Sequence, residues 1–250
     1  MKKILFISLF ISLLIFSSAY GGEKKTIKVL FIGNSQMYKC DLPQMVQKIS
    51  QSLPSSPQIE VGRVILGGRG LMGFWEKGDA EKGLPRSMIN ADKWDYVILQ
   101  EAYIINKDGF KKYASLFNDA IKKNGSKTIF FATASIAKLY PEGFKKLNDV
   151  QLALGKQMKI PVAAAGYAWM KYWGDTPTES QRLELYNKDL QHPGKKGTYL
   201  YACILYSIIT GENCKGATRN FKFLGGDIVT SEEAEKMQDA AWKQYLQDNK

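Results

Sequence analysis

The chain has 250 residues, of which 45% are hydrophobic and 12% aromatic, and a formal net charge of +11. This length and apolar content predict a packed domain and exclude a disordered or collagen-like chain. The lysines come as scattered pairs rather than as one basic run, and no nucleic-acid-binding motif accompanies them. We therefore expect a solvated basic surface and no nucleic-acid partner.

The N-terminal segment has the three parts of a secretory signal peptide. Two lysines precede the apolar stretch from Ile4 to Phe16, and small residues follow it. An apolar stretch of this length is too short to span a bilayer comfortably. We therefore expect residues 1–21 to be removed on export to the periplasm or the extracellular medium. Residues 22–250 should then form a single domain without stable membrane insertion.

The cysteines are Cys40, Cys203 and Cys214. In an oxidising compartment three cysteines allow at most one internal disulfide, and the sequence leaves the three possible pairings open. Cys203 lies in an apolar helical pattern and is expected to be a small buried hydrophobic residue. Cys40 is expected to be a structural thiol.

Short β-branched and aromatic runs alternate with amphipathic segments along the chain. The predicted strands are Thr26–Gly33, Gln58–Leu66, Trp94–Gln100, Lys127–Ala134 and Ile160–Ala165. The predicted helices are Leu42–Leu53, Phe110–Lys123, Gly143–Met158, one from near Pro193 to Gly211, and one from Thr230 with a capping box at Glu233. This alternation predicts an α/β fold, a three-layer sandwich with a parallel sheet of about five strands covered on both sides.

A serine follows the first predicted strand, at the edge of the sheet where a ligand would bind. Ligands of open parallel sheets bind at the carboxyl ends of the strands, and Ser35 follows the first strand directly. A serine hydroxyl needs a base to remove its proton. His192 is the only histidine, and Asp189, three residues earlier, is placed to orient its imidazole. A lone Asp-x-x-His pattern is also compatible with an ordinary histidine at a helix start.

Two other strand ends carry candidate donors for an oxyanion, the negative charge that forms on an ester carbonyl during attack. The second strand runs into Gly67, Gly68, Arg69 and Gly70, where the backbone can approach a ligand closely. The third strand ends in Gln100, whose amide would lie at the same edge of the sheet. Each feature alone is also compatible with a purely structural role.

Taken in this order, the motifs resemble those of the SGNH (GDSL-like) hydrolase superfamily. The resemblance runs roughly from Ile27 to Gly211, and its most specific part is the Asp-x-x-His-Pro segment before a helix. It implies a flavodoxin-like α/β/α sandwich with a catalytic triad of Ser35, His192 and Asp189.

The resemblance also assigns an oxyanion hole. It implies donors at the backbone N–H of Ser35 and at Gly68, with Gly67 or Gly70 as alternatives. Gln100 stands where the superfamily commonly has an asparagine donor, and a branch with a similar Leu-Gln-Glu sequence keeps glutamine there. Gln100 is therefore predicted to be the third donor.

Aromatic side chains follow several predicted strand ends and suggest a carbohydrate substrate, because sugar rings stack on aromatic faces. The candidate substrate contacts are Trp75, Glu101, Tyr103, Trp169 and Trp173. The alternative for the aromatic residues is packing over the core, and for Glu101 a structural hydrogen bond.

These patterns predict an exported esterase that removes acetyl or short acyl groups from small-molecule or glycan esters. The alternatives are a lipid ester hydrolase and a catalytically weak carbohydrate-binding module on the same fold. No residue cluster has metal-ligand spacing and no nucleotide fingerprint is present, so we expect neither a metal nor another cofactor.

Overall fold

The computed structural model of the protein describes residues 24–77, 84–102 and 106–249. The predicted signal peptide, residues 1–21, lies outside them. Within the described ranges, no helix is long and apolar enough to cross a membrane.

A five-stranded parallel sheet forms the centre of the fold. Its strands are β1 (Thr26–Gly33), β2 (Gln58–Ile65), β3 (Tyr96–Leu99), β4 (Lys127–Ala132) and β5 (Val162–Ala164). Their spatial order is β2-β1-β3-β4-β5, which is the flavodoxin-like order. The observed β1 has the predicted bounds, whereas β3 and β5 are shorter than predicted.

Helices flank the sheet on both sides. They are α1 (Ser35–Tyr38), α2 (Leu42–Ser52), α3 (Leu71–Trp75), α4 (Pro85–Ala91), α5 (Lys107–Lys123), α6 (Glu142–Met158), α7 (Ala165–Trp173), α8 (Glu179–Leu183), α9 (Lys195–Thr210) and α10 (Ser231–Asp248). A short antiparallel pair, β6 (Asn220–Phe221) and β7 (Gly226–Asp227), precedes α10.

Alternate residues of β1 belong to two separate hydrophobic clusters, one on each face of the sheet. Val29 and Phe31 pack with side chains of α2, α7, α9 and α10. Leu30 and Ile32 pack with side chains of α3, α4 and α5. Because successive side chains of a strand point to opposite faces, a strand buried on both sides reads as a continuous apolar run. The predicted three-layer α/β/α sandwich is confirmed.

The cysteines are all buried and unpaired. Cys203 lies on α9 and is fully buried, as predicted from its apolar surroundings. Burial also raises the pKa of the Cys40 thiol, which keeps it protonated and unreactive.

The last helix begins with the predicted capping box. Thr230 Oγ1 accepts from the backbone N–H of Glu233 at 3.2 Å, and Glu233 Oε2 accepts from the backbone N–H of Thr230 at 2.8 Å. Two N–H groups that have no partner within the helix are thereby satisfied.

Removing this cap should weaken the fold measurably. We expect Thr230→Ala to lower the free energy of unfolding by about 1 kcal/mol, which corresponds to a fall in Tm of about 2–4 °C for a domain of this size. Thr230→Ser keeps the hydroxyl and should retain most of the stability. An equal loss in both variants would show that the methyl group, and not the hydrogen bond, matters.

Candidate active site

The turn after β1 lies at the point where the order of the sheet reverses. β1 pairs with β2 on one side and with β3 on the other, so the connections that follow leave in opposite directions. In open α/β sheets the crevice at such a point, outside the carboxyl ends of the strands, is where ligands bind. Ser35 follows β1 and Gln100 follows β3, so both lie at this crevice.

Asn34 sets the conformation of the turn that carries Ser35. Its side-chain oxygen accepts from the backbone N–H of Gln36 at 3.1 Å and so caps the start of α1. An asparagine at this position is a strong helix-start signal. Ser35 is therefore the first residue of a helix and remains partly exposed, while both of its neighbours are buried.

The residues predicted as a triad lie in one hydrogen-bonded chain. His192 Nε2 lies 2.8 Å from Ser35 Oγ, and His192 Nδ1 lies 2.8 Å from Asp189 Oδ2. With a proton on Nδ1, the imidazole donates to the carboxylate and presents a free electron pair to the serine hydroxyl. Ser35 and His192, which are 157 positions apart in the sequence, are thus brought within hydrogen-bonding distance.

Asp189 is held in its ionised form by its own loop. Burial alone would raise the pKa of this carboxyl, but the backbone N–H groups of His192 and Gln191 and the imidazole outweigh it and lower the pKa to about 2. Oδ1 accepts from the two backbone N–H groups at 2.9 and 3.0 Å. The other oxygen is therefore left to the imidazole.

The loop that carries His192 is fastened to the rest of the site from two sides. Leu190, which has a left-handed φ of 55°, accepts at its carbonyl from the backbone N–H of Ala137 at 3.0 Å. Gln36 Nε2 donates to the carbonyl of Gln191 at 2.9 Å. The second contact ties the histidine loop directly to the helix that begins at the nucleophile.

The glycine turn after β2 lies next to the nucleophile turn. Asn34 Nδ2 donates to the carbonyl of Arg69 at 2.8 Å. Gly68 has a left-handed φ of 69° and is exposed, a conformation that favours glycine. Within the described residues, no acceptor bonds to the backbone N–H of Gly68 or of Ser35. Both N–H groups are thus available to a ligand.

Gln100 occupies a different position from the one predicted. Its side chain is fully buried. Its Oε1 accepts from the backbone N–H of Asn34 at 2.8 Å, and its Nε2 donates to the carbonyl of Glu101. A fully buried amide does not reach a ligand in the crevice, so this geometry contradicts the predicted direct contact between Gln100 and an oxyanion.

Glu101 binds two backbone groups and is partly exposed at the wall of a cavity. Its Oε1 accepts from the N–H of Ala102 at 2.7 Å, and its Oε2 accepts from the N–H of Leu71 at 3.2 Å. Burial raises the pKa of this carboxyl, and the two N–H groups only partly oppose the shift. Glu101 therefore joins the strand end of β3 to the first turn of α3.

A cavity of about 480 Å³ adjoins the glycine turn. Its walls include Gly68, Arg69, Glu101, Asn106 and Phe110. The walls combine backbone and charged groups with an aromatic ring, and more of the surface that they expose is apolar than polar.

The aromatic residues after β5 belong to the core. Trp169 is fully buried, its indole N–H donates to the carbonyl of Gly197 at 3.3 Å, and its ring stacks on Tyr201 at 5.0 Å. The prediction that Trp169 contacts a substrate is wrong because no part of its surface is accessible. Trp173 packs against Trp169 and Phe144, with ring centres 5.6 and 5.7 Å apart. These contacts indicate packing over the core, the alternative noted for these residues.

Trp75 also packs against protein groups. Its ring meets Phe117 edge-on at 5.0 Å and lies 4.5 Å from the guanidinium of Arg86. These contacts place it over α5, not against the triad. Tyr103 lies outside the described residues. In the described ranges, no group of three or more His, Cys, Asp or Glu side chains could hold a metal ion.

Three solved structures share the fold of this protein at low sequence identity. One, from Slackia heliotrinireducens, is named as a candidate SGNH hydrolase (19% identity, TM-score 0.57, 73% of this chain and 98% of that chain). Another is a lipase/acylhydrolase from Enterococcus faecalis (17%, 0.58, 74% and 96%). A third is a catalytic mutant of an acetylxylan esterase from Geobacillus stearothermophilus (13%, 0.58, 74% and 95%).

These similarities show that about three quarters of the chain shares the fold of these structures. No protein-family model matches the sequence, and the search of curated proteins found no match.

The buried carboxyl of Glu101 should leave a signature in the pH dependence of stability. Its pKa is raised above the ordinary value of 4.5, so ionisation is less favourable in the folded than in the unfolded state. The wild type should therefore lose stability relative to Glu101→Gln as the pH rises through 4.5 and on to the folded pKa.

Denaturant titrations from about pH 4 to about pH 8 would measure this difference. Glu235→Gln, at an exposed position of α10, is the matched control. A difference between wild type and Glu101→Gln that does not change with pH would contradict the desolvation of Glu101.

Proposed function

We propose that the protein is an exported serine esterase that removes acetyl or other short acyl groups from carbohydrate. The observation that carries the proposal is the chain of hydrogen bonds from Asp189 through His192 to Ser35. These hydrogen-bonded residues lie at the carboxyl ends of the strands, where ligands bind in such sheets. The backbone N–H groups of Ser35 and of Gly68, in the neighbouring turn, have no acceptor within the described residues and can bind an anion. Nucleophile, base, orienting carboxylate and anion donors are the parts that ester hydrolysis needs.

In the proposed reaction, Ser35 Oγ attacks the ester carbonyl carbon while His192 Nε2 takes the hydroxyl proton. The carbonyl oxygen becomes an oxyanion and accepts from the N–H groups of Ser35 and Gly68. When the tetrahedral intermediate collapses, the alkoxy oxygen leaves with the proton from His192, and the acyl group stays on Ser35. A water molecule then attacks the acyl-enzyme by the same route and releases the acid.

The carbohydrate part of the proposal rests on two points. The fold is shared with proteins that are named acetylxylan esterases. The predicted export of the chain would bring it to extracellular polymers. The aromatic residues after β5 do not support the proposal, because they pack in or over the core.

Two other functions are favoured by single observations. The shared fold with a lipase/acylhydrolase favours a lipid ester hydrolase. The burial of Gln100, which removes the side-chain donor predicted for the oxyanion, favours a carbohydrate-binding module with little turnover. The experiment described next distinguishes both functions from the proposed one.

A panel of aryl esters from acetate to long-chain acids, assayed with wild type and Ser35→Ala, tests the proposal. We expect the short esters to be cleaved fastest and the variant to lose most of the activity, on the order of 10⁴-fold or more. Ser180→Ala, an exposed serine on α8, is the matched control. A preference for long chains would favour the lipid hydrolase. Binding of acetylated oligosaccharides without Ser35-dependent cleavage would favour the module.

Asp189→Asn tests the orienting carboxylate. The amide cannot accept from both backbone N–H groups and the imidazole as the carboxylate does, so the imidazolium loses its stabilising charge. We expect kcat to fall by about 10²–10⁴-fold with a small change in KM. Asp92→Asn, which alters an ion pair with Lys28 at the opposite end of the sheet, is the control. An unchanged kcat in Asp189→Asn would contradict the assignment of the triad.

The lowered pKa of Asp189 sets the pH range in which this carboxyl can affect the activity. A carboxyl with a pKa of about 2 stays ionised at higher pH and loses its charge only as the pH falls through that value. Any loss of wild-type activity above about pH 4 should therefore come from another group.

A further inference from the structure

Hydrogen bonds join the turn after β1 to the segment after β2. Asn34 Nδ2 donates to the carbonyl of Arg69 at 2.8 Å. Two residues further on, the backbone N–H of Leu71 donates to Glu101 Oε2 at 3.2 Å, which carries the connection to the end of β3.

Gln100 closes this connection into a ring. It precedes Glu101 in the chain, and its Oε1 accepts from the backbone N–H of Asn34 at 2.8 Å. The ring therefore starts and ends at Asn34, the residue before the nucleophile. We call this set the strand-end ring: Asn34, Arg69, Leu71, Gln100 and Glu101. The two residues with free N–H groups, Ser35 and Gly68, directly adjoin its members in the sequence.

The ring is closely packed, and two glycines make room for it. A Cβ added at Gly70 would lie 1.9 Å from Glu101 Oε1, and one added at Gly33 would lie 2.7 Å from Gln100 Oε1. The φ of Gly70 is −99°, which other residues adopt freely. A methyl group at position 70 would therefore displace the carboxylate of Glu101 without straining the backbone.

We propose that Gln100 and Glu101 are positioning residues that set the spacing between the N–H groups of Ser35 and Gly68, so that backbone donors alone form the oxyanion hole. Gln100 fixes the nucleophile turn and Glu101 fixes the segment that follows Gly68. The inference rests on the proposed serine esterase activity. It replaces a direct role for either side chain toward the substrate with a role that acts through the backbone.

The two roles predict different kinetics. Donors for an oxyanion must lie within about 2.7–3.1 Å of the developing charge, and a displacement of about 1 Å can reduce the rate on the order of 10²-fold. Loosening the ring should therefore lower kcat while KM changes little, because ground-state contacts with the substrate stay in place. A merely structural role would lower the melting temperature without this separation of kcat from KM.

A double-mutant cycle at Gly70 and Glu101 tests the ring. Gly70→Ala alone forces the carboxylate aside, and we expect kcat to fall about 10–100-fold. In a Glu101→Ala background the added methyl meets no carboxylate, so the same substitution should change kcat less than about threefold. Gly73→Ala adds a methyl group in the following helix, α3, 3.6 Å from the nearest side-chain atom of another residue, and should be additive with Glu101→Ala. Equal effects of Gly70→Ala in both backgrounds would overturn the proposal.

Gln100→Asn separates positioning from direct donation. Asparagine keeps the amide donor but is one methylene shorter, so it no longer reaches the N–H of Asn34. Positioning predicts a loss in kcat of about 10–100-fold with KM little changed. A direct donor role predicts that asparagine serves as well as glutamine, so retention of wild-type kcat would contradict the proposal. Melting temperatures of all variants identify any that lose activity by unfolding.

A second measurement keeps this inference separate from the proposed function. A fluorophosphonate labels an activated serine and places its P=O oxygen where the oxyanion would form. The rate at which it labels Ser35 should fall in Gly70→Ala, in Gln100→Asn and in Glu101→Ala, and adding Gly70→Ala to Glu101→Ala should lower it little further. If wild type is labelled but cleaves no ester, the esterase proposal fails while the ring is still tested. If wild type is neither labelled nor active, both proposals fail.

Discussion

The site depends on the conformation of three residues after β1, since each of them is bonded to a different part of the fold. Asn34 binds the segment after β2 through its side chain and the end of β3 through its backbone N–H. Gln36 binds the histidine loop through its side chain. Ser35, between them, is left with its hydroxyl directed at His192 and its N–H free. The reversal of strand order at β1 brings these segments to one place.

Neutral amides hold the turn after β1, and the carboxylate that orients His192 lies at the rim of the site. Asn34, Gln36 and Gln100 are all buried, and each has at least two hydrogen bonds to fixed groups. Asp189 lies at the surface, with 37% of its side chain exposed. Buried amides fix geometry without the large desolvation penalty of a buried charge. A carboxylate at the rim polarises the histidine while most of its own solvation is retained.

The fold and the candidate triad could be proposed from the sequence because both depend on local signals. Apolar runs identified the strands, and the cap at Thr230 identified the start of α10. Ser35 followed from its place after a strand, and His192 from being the only histidine. In each case residue type and position along the chain carried the information.

Other parts of the site were not predictable, since they depend on which side chain turns toward which neighbour. Trp169 follows a strand as a substrate-binding residue would, yet α7 turns it onto Tyr201 in the core. Gln36 showed no signal at all, because its partner is a backbone carbonyl 155 residues away. The capping role of Asn34 could have been found from its type and position before a helix. Its two links to other strand ends could not.

The need to hold the turn after β1 in place also explains why position 100 is a glutamine. The backbone N–H of Asn34 is buried and needs an acceptor, and without one it would cost about 1–3 kcal/mol. Glutamine reaches that N–H because its amide is one methylene further from the backbone than that of asparagine, and Gly33 leaves space for it. An amide that satisfies the nucleophile turn in this way is turned away from the crevice. In the proposed mechanism the oxyanion would then be bound by the backbone N–H groups of Ser35 and Gly68.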